Sequence, residues 1–307
     1  FVQTHAEMLK NDVKIAHFRD PWGGMPLLSV ENRAYKTVYE VNALPSIELP
    51  ARYPSVTART CERIRDLERH CWQQADHIVC PSQVIKNCLI ELGADAGKIT
   101  VIRNGAQPVD LAQISRPSDA PAQYLLYQGA VQSWQGIEVL FKAMTFLRDM
   151  PELKLVMCAS GSKPRLKYLQ KLANRMGIDQ QVIWHLKVPQ TTVIQWLAGA
   201  AISLAPLVEC SRNLVQGCCP LKIVESMATG TPVIASDLPF VRELLENGKT
   251  GWLVRPDRPS ELARAIRILL AHPEQRVSIG ASAREKFSAE LTWQKSTQAL
   301  TEVYQAL

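Results

Sequence analysis

The chain has 307 residues, 47% hydrophobic and 21% charged, with a formal net charge of +6. That length suits two α/β lobes, and the composition excludes a disordered, fibrous or low-complexity chain. No run reaches the ~18–20 apolar residues of a spanning helix; the positive balance suits an anionic ligand such as a nucleotide diphosphate and, equally, an anionic membrane surface or nucleic acid.

In chain order, the opening FVQTHAEMLKNDVKIAHFRD reads as a helix followed by a strand at 13–18. Further apolar runs of strand length fall at 36–41, 77–80, 99–102, 124–127, 153–158, 182–185, 202–205 and 232–235, separated by helical patterns. Short β runs alternating with longer helices predict parallel sheets covered on both faces. A doubly wound lobe would carry strands before 13–18, so the first lobe reads as incomplete. PVDLAQISRPSDAPA, between Gln107 and Gln123, lacks periodicity and reads as an interdomain linker. The expected division is therefore 1–106 for the first lobe, 107–123 for the linker and 124–285 for the second lobe. In the remaining 286–307, the final TWQKSTQALTEVYQAL has helical spacing and is expected to pack back toward the first lobe.

The eight cysteines, Cys61, Cys71, Cys80, Cys88, Cys158, Cys210, Cys218 and Cys219, show neither a CxxC nor a His/Cys ligand spacing. Free thiols and a cytoplasmic location are expected.

The most informative stretch is SRNLVQGCCPLKIVESMATGTPVIASD, 211–237. Gly217 permits a left-handed turn, and Pro220 suits the first position of a helix, where its missing N–H costs nothing. A loop thus feeds a helix N-terminus, whose amides and dipole favour a phosphate, and Lys222 adds a full charge there. Glu225, three residues on, shares its face and can accept hydrogen bonds from vicinal hydroxyls such as those of a ribose. Arg212 supplies a second cation suited to bidentate phosphate contact. On these residues alone, Lys222 and Glu225 fit a surface ion pair as well, worth ~0.2–0.5 kcal/mol.

PLKIVESMATGTPVIASD closely resembles the donor-binding motif of the large retaining glycosyltransferase family with two Rossmann-like lobes, the GT-B fold of the family four or group 1 type. RIRDLERHCWQQADHIVCPSQVIKNCLIELGADAGKITVIRNGAQP resembles the close of that family's first lobe. YQGAVQSWQGIEVLFKAM, LKLVMCASG and GKTGWLVRPDRPSELARAI resemble successive parts of its second lobe, so the match runs from about Asp12 to the C-terminus. The resemblance implies that Arg212 and Lys222 hold the donor diphosphate and Glu225 the ribose, with Gly217, Pro220 and Leu221 forming the approach. It implies backbone recognition of the base at Lys187 and Val188. Family members often carry a second glutamate where this chain has Gly217, and Arg and Lys where it has Ala130 and Gln135. Gly129 and Gly136 bound a loop that either approaches phosphates or simply turns; Trp134 within it either covers a ligand or packs.

In the first lobe, His17, Arg19 and Asp20 stand at a strand's carboxyl end, where doubly wound sheets bind ligands. The resemblance places His17 near the sugar and the reacting bond, and Arg19, Asp20 and Asn42 on the acceptor or sugar side. Arg19 and Asp20 could also pair with each other, and Asp20 could serve as turn chemistry. Glu40 is a further candidate and Glu48 a weaker one. Asn104-Gly105 reads as a structural turn.

The resemblance implies transfer of a sugar from a UDP- or GDP-hexose to a hydroxyl of a glycan or lipid-linked acceptor, with retention. No DxD-like acidic pair stands beside the motif, so no metal or other cofactor is expected, nor a nucleic-acid partner. Peripheral contact with the inner membrane face is permitted by the charge. Rival classes are a non-catalytic nucleotide-sugar binder, favoured by the missing glutamate, and a GT-B epimerase or phosphorylase.

Overall fold

The computed structural model describes residues 12–307; the helix expected over the opening residues lies outside them. The chain divides into two compact units. The first comprises residues up to Arg103 with Leu214–Cys219 and Gln294–Leu307, and the second Asn104–Asn213 with Pro220–Trp293.

In the first unit four parallel strands, β1 (Ile15–Phe18), β2 (Lys36–Glu40), β3 (His77–Cys80) and β4 (Ile99–Val101), lie in sequence order. Helices α1 (Pro21–Leu28), α2 (Pro45–Arg52), α3 (Ala58–Gln74) and α4 (Gln83–Glu91) connect them. Their starts follow capping chemistry: Asp20, Thr57 and Ser82 accept from the amides of Gly23, Thr60 and Ile85. The start of α2 has no such cap of its own. Buried Glu68, from α3, fills the role by accepting from the Ser46 amide at 2.8 Å and its hydroxyl at 2.6 Å. Phe18 stacks on Tyr39 at 4.8 Å in a core shared with Trp72, Ile78, Ile85 and Leu89. The C-terminal α12 (Trp293–Gln305) belongs here, with the Ser296 hydroxyl donating to the Arg103 carbonyl.

Asp76 ties the start of this sheet together. Its carboxylate accepts from the Thr37 amide and hydroxyl at 2.9 and 2.8 Å and meets Arg33 and Lys36. Burial pushes its pKa up, but the Thr37, Arg33 and Lys36 contacts outweigh that and hold it at about 2. Because the folded value is depressed, its stabilisation is present above the ordinary aspartate value and is lost as pH falls toward 2. Asp76→Asn should remove on the order of 2 kcal/mol at neutral pH and flatten the acid limb between pH ~4 and ~2, as read by urea unfolding across pH.

The second unit holds six parallel strands in the order β10-β9-β8-β5-β6-β7. They are β5 (Tyr124–Ala130), β6 (Lys154–Ser160), β7 (Val182–Leu186), β8 (Ile202–Ala205), β9 (Val233–Ser236) and β10 (Trp252–Val254). Helices α5 (Ile137–Thr145), α6 (Lys163–Arg175), α7 (Gln190–Gly199), α8 (Leu221–Thr229), α9 (Pro239–Arg242), α10 (Pro259–Ala271) and α11 (Pro273–Glu290) surround them. Alternation along central β5 explains its continuous apolar run. Leu125 and Tyr127 join one core with Phe141, Leu155 and Ile266, while Tyr124 and Leu126 join another with Val156, Trp196 and Leu197.

Three boundaries differ from the sequence expectation. Residues 107–123 group with the second unit rather than forming a free linker, held by Arg284 donating to the Val109 carbonyl at 2.7 Å. The helix α11 continues to Glu290 in the second unit, so only α12 joins the first. Leu214–Cys219, inside the donor motif, also groups with the first unit, where buried Gln216 accepts from the Leu44 amide at 2.7 Å.

Candidate functional site

In the second unit the strand order reverses at β5, which has β6 on one side and β8 on the other. Chain paths diverge at such a point and leave a crevice at the strands' carboxyl ends. The loop leaving β5 fills its rim, with Gly129 at φ 115 and Gly136 at φ 72 around a short helical turn, Ser133–Gln135. A Cβ at Gly136 would lie 1.7 Å from the Pro206 carbonyl oxygen, just past β8. Only glycine meets both demands there.

The helix α8 begins at this crevice. Pro220 is its N-cap rather than its first residue, and half-exposed Leu221 opens it. The first turn is fixed from below, since the Lys222 carbonyl accepts from Gln128 Nε2 at 3.2 Å and the Ser226 hydroxyl at 2.6 Å. Lys222 is 9% exposed. Its ammonium lies 4.1 Å from the centre of the Tyr127 ring and donates to Gln135 Oε1 at 2.7 Å. A Cβ at Gly129 would rest 3.6 Å from Lys222 Cε and 3.7 Å from Nζ, so the glycine lies directly beside the end of this side chain.

Glu225, one turn on, accepts from Gln190 Nε2 at 2.7 Å. Burial pushes its pKa up, against the Gln190 hydrogen bond and the Lys222 charge. A raised carboxyl favours the folded state most at low pH, and that contribution is lost as pH rises through its folded value. For a ligand that needs the carboxylate the dependence is opposite: affinity should fall on acidification, beginning above the ordinary glutamate range. Gln190→Ala removes a bond to the charged form and should move that midpoint to higher pH, as read by nucleotide titrations from pH 4 to 8.

Arg212 opens a π-helical turn, Arg212–Gln216, where a plain loop was expected. Its guanidinium sits 5.4 Å from the Trp134 ring centre and donates to Asn213 Oδ1 at 3.0 Å. Asn213 in turn donates to the Trp134 and Val208 carbonyls at 3.1 and 2.7 Å. Trp134 is buried, with the Arg212 guanidinium over its ring, so its side chain packs. Gly217 takes φ 64, buried in the segment that groups with the first unit. Lys187 takes φ 55, and Val188 packs its side chain against the core cluster that contains Val193 and Trp196.

The first unit carries a separate polar cluster. His17, in β1, has Nδ1 2.5 Å from the Tyr304 hydroxyl of α12, and Nε2 3.0 Å from Glu40 Oε2 but off the line of a good hydrogen bond. Glu40 also meets Arg19 Nε at 3.2 Å and accepts from Asn42 Nδ2 at 2.5 Å. The His17 contact is the main reason its carboxyl lies below the usual range; burial opposes this, and Asn42 and Arg19 add to it. Arg19 therefore pairs with Glu40 rather than Asp20, because Asp20 caps α1 through the Gly23 amide at 2.8 Å. Gln190 and Tyr304 were not singled out from sequence; each meets its partner only through the tertiary fold.

Among the described residues no group of three or more His, Cys, Asp or Glu is placed to hold a metal, and no helix is long and apolar enough to cross a membrane. None of the eight cysteines is joined in a disulfide among the described residues.

Two family models match: Glycosyl transferases group 1 over residues 112–286, and Glycosyltransferase Family 4 over residues 3–109. The D-inositol 3-phosphate glycosyltransferase of Xylanimonas cellulosilytica is 27% identical over 259 residues, 84% of this chain and 58% of that relative. Its Streptomyces scabiei counterpart is 30% identical over 233 residues, 69% of this chain and 50% of the relative. The chain thus spans little more than half the length of these relatives. Sucrose-phosphate synthase from Thermosynechococcus elongatus superposes with a TM-score of 0.79 at 22% identity, covering 99% of this chain and 76% of that one. Anabaena HepE in complex with UDP-glucose superposes with a TM-score of 0.77 at 19% identity, covering 96% and 79%. The shared architecture is the GT-B fold.

Proposed function

The chain belongs to the group 1 glycosyl transferases, and from that premise we propose that it moves a hexosyl group from a UDP- or GDP-linked donor to a hydroxyl of a glycan or lipid-linked acceptor. The observation that carries this reading is Lys222: a nearly buried lysine in the first turn of α8, its side-chain end beside Gly129, with Glu225 one turn further on. A diphosphate at the helix start meets this charge, Arg212 and the positive end of the dipole. Glu225 receives the ribose hydroxyls, and the backbone at Lys187 and Val188 receives the base. The occupant of HepE, UDP-glucose, supports a ligand of this class.

Transfer breaks the bond from the anomeric carbon to the phosphate oxygen and forms one to the acceptor oxygen on the same face. The acceptor proton passes to the departing phosphate. Negative charge grows on the diphosphate as it leaves, and preplaced cations lower that barrier. With two side-chain cations supplied, we propose that turnover needs no divalent metal and continues in excess EDTA. For the acceptor or sugar side we propose His17, Arg19 and Asn42 of the first unit, on the family resemblance of that segment. The unbonded thiols fit a reducing, cytoplasmic setting, and the basic balance fits contact with an anionic inner membrane face.

A thermal-shift series tests the donor assignment. UDP-glucose, GDP-mannose, UDP and GDP are compared with UMP and GMP. At one hundred times its dissociation constant a ligand stabilises by about 2.7 kcal/mol, so at least one diphosphate should raise the midpoint well beyond its monophosphate. Equal, negligible shifts across the series would remove the assignment.

A further inference from the structure

One short loop touches both cations assigned to the donor. Trp134 lies beneath the Arg212 guanidinium, with the ring centre at 5.4 Å, and Gln135 accepts from the Lys222 ammonium at 2.7 Å. The loop itself is locked. Gly136 leaves no space for a side chain against the Pro206 carbonyl, the Trp134 carbonyl accepts from Asn213 and Val208, and Gln135 N–H closes the turn on the Gln132 carbonyl. These two contacts are also electrically neutral. An aromatic face and an amide oxygen solvate a cation without cancelling it, whereas a carboxylate at either place would spend the charge before a phosphate arrived. Glu225, whose pKa responds to the Lys222 charge, accepts from Gln190 Nε2 instead.

Long cationic side chains otherwise lose rotamer freedom when an anion fixes them, which weakens binding. We infer that Trp134 and Gln135 are positioning residues that hold Arg212 and Lys222 in place for the donor diphosphate. The inference rests on the donor reading above. It also gives a role to Gln135, a neutral side chain where related chains often carry Lys: it sets one existing cation rather than adding another.

The test is isothermal titration of the full chain with UDP and with GDP. Gln135→Ala should weaken the diphosphate that binds by about tenfold, a typical yield for one charge-assisted hydrogen bond. Gln135→Glu should weaken it at least as much, although it keeps a partner for Lys222. In a Lys222→Met background, Gln135→Ala should change nothing further, which a general packing defect would not reproduce. Trp134→Leu should cost about fivefold, and Trp134→Phe, which keeps a ring face and the fold, should recover most of it. If the unaltered chain binds a diphosphate and Gln135→Ala binds it equally well, or loses as much affinity with Lys222 already gone, the inference is overturned alone. If the unaltered chain binds neither diphosphate, the donor reading falls and takes this inference with it.

Discussion

Lys222→Ala should lower the turnover of a sugar nucleotide by on the order of 10²–10³-fold while the chain folds as before. The size follows from where the charge sits. Lys222 is 9% exposed, so water screens its charge weakly, and in the proposed donor complex it meets the negative charge that grows on the departing diphosphate. The fold should survive because α8 is anchored through the backbone: Gln128 and Ser226 both donate to the Lys222 carbonyl, which alanine retains. The lost side-chain stem leaves the Tyr127 ring partly bare, a cost of about 1 kcal/mol. Nucleoside diphosphate release, measured beside far-ultraviolet circular dichroism, separates the two effects. Turnover within threefold of the unaltered chain would mean that Lys222 does not meet the leaving group.

Gly136→Ala should be the most damaging small substitution in the second unit. At φ 72 an L residue is strained, and its Cβ would lie 1.7 Å from the Pro206 carbonyl oxygen, which is backbone and has little freedom to yield. Left-handed strain of about 1 kcal/mol and a forced shift of about 1–3 kcal/mol combine to roughly 2–4 kcal/mol. The unfolding midpoint of that unit should drop by about 5–10 °C. Because the same loop contacts Arg212 and Lys222, nucleotide affinity should fall even at temperatures where the unit stays folded. A midpoint shift below 2 °C by scanning calorimetry would show that the loop can move aside.

Much of the second unit could be read from apolar periodicity, since its central strands β5, β6, β8 and β9 are buried along most of their length. The strand expected at 202–205 is the observed Ile202–Ala205. The strand expected at 124–127 extends to Ala130, because Gln128, Gly129 and Ala130 pair with Cys158, Ala159 and Ser160 although nothing about their polarity announces a strand. Periodicity also passed over Trp252–Val254, two partly exposed residues and one buried, that only the family resemblance pointed to. In the site, local chemistry was legible where it stays local: the helix after Pro220, and a turn role for Asp20. Contacts such as His17 with Tyr304, 287 positions apart, or Glu225 with Gln190, 35 apart, are set by tertiary packing and leave no spacing signal. The grouping of Leu214–Cys219 with the first unit has the same cause, since Gln216 finds its partner at Leu44.

The most direct measurement is turnover of the unaltered chain with the sugar nucleotide that stabilises it most, in excess EDTA, with a hydroxylated glycan acceptor or with water. Nucleoside diphosphate should appear together with a product whose anomeric configuration, read by proton nuclear magnetic resonance, matches the donor. Tight binding with no release of diphosphate would contradict transfer and make the chain a nucleotide-sugar binder, and an inverted product would contradict attack from the face of the leaving phosphate.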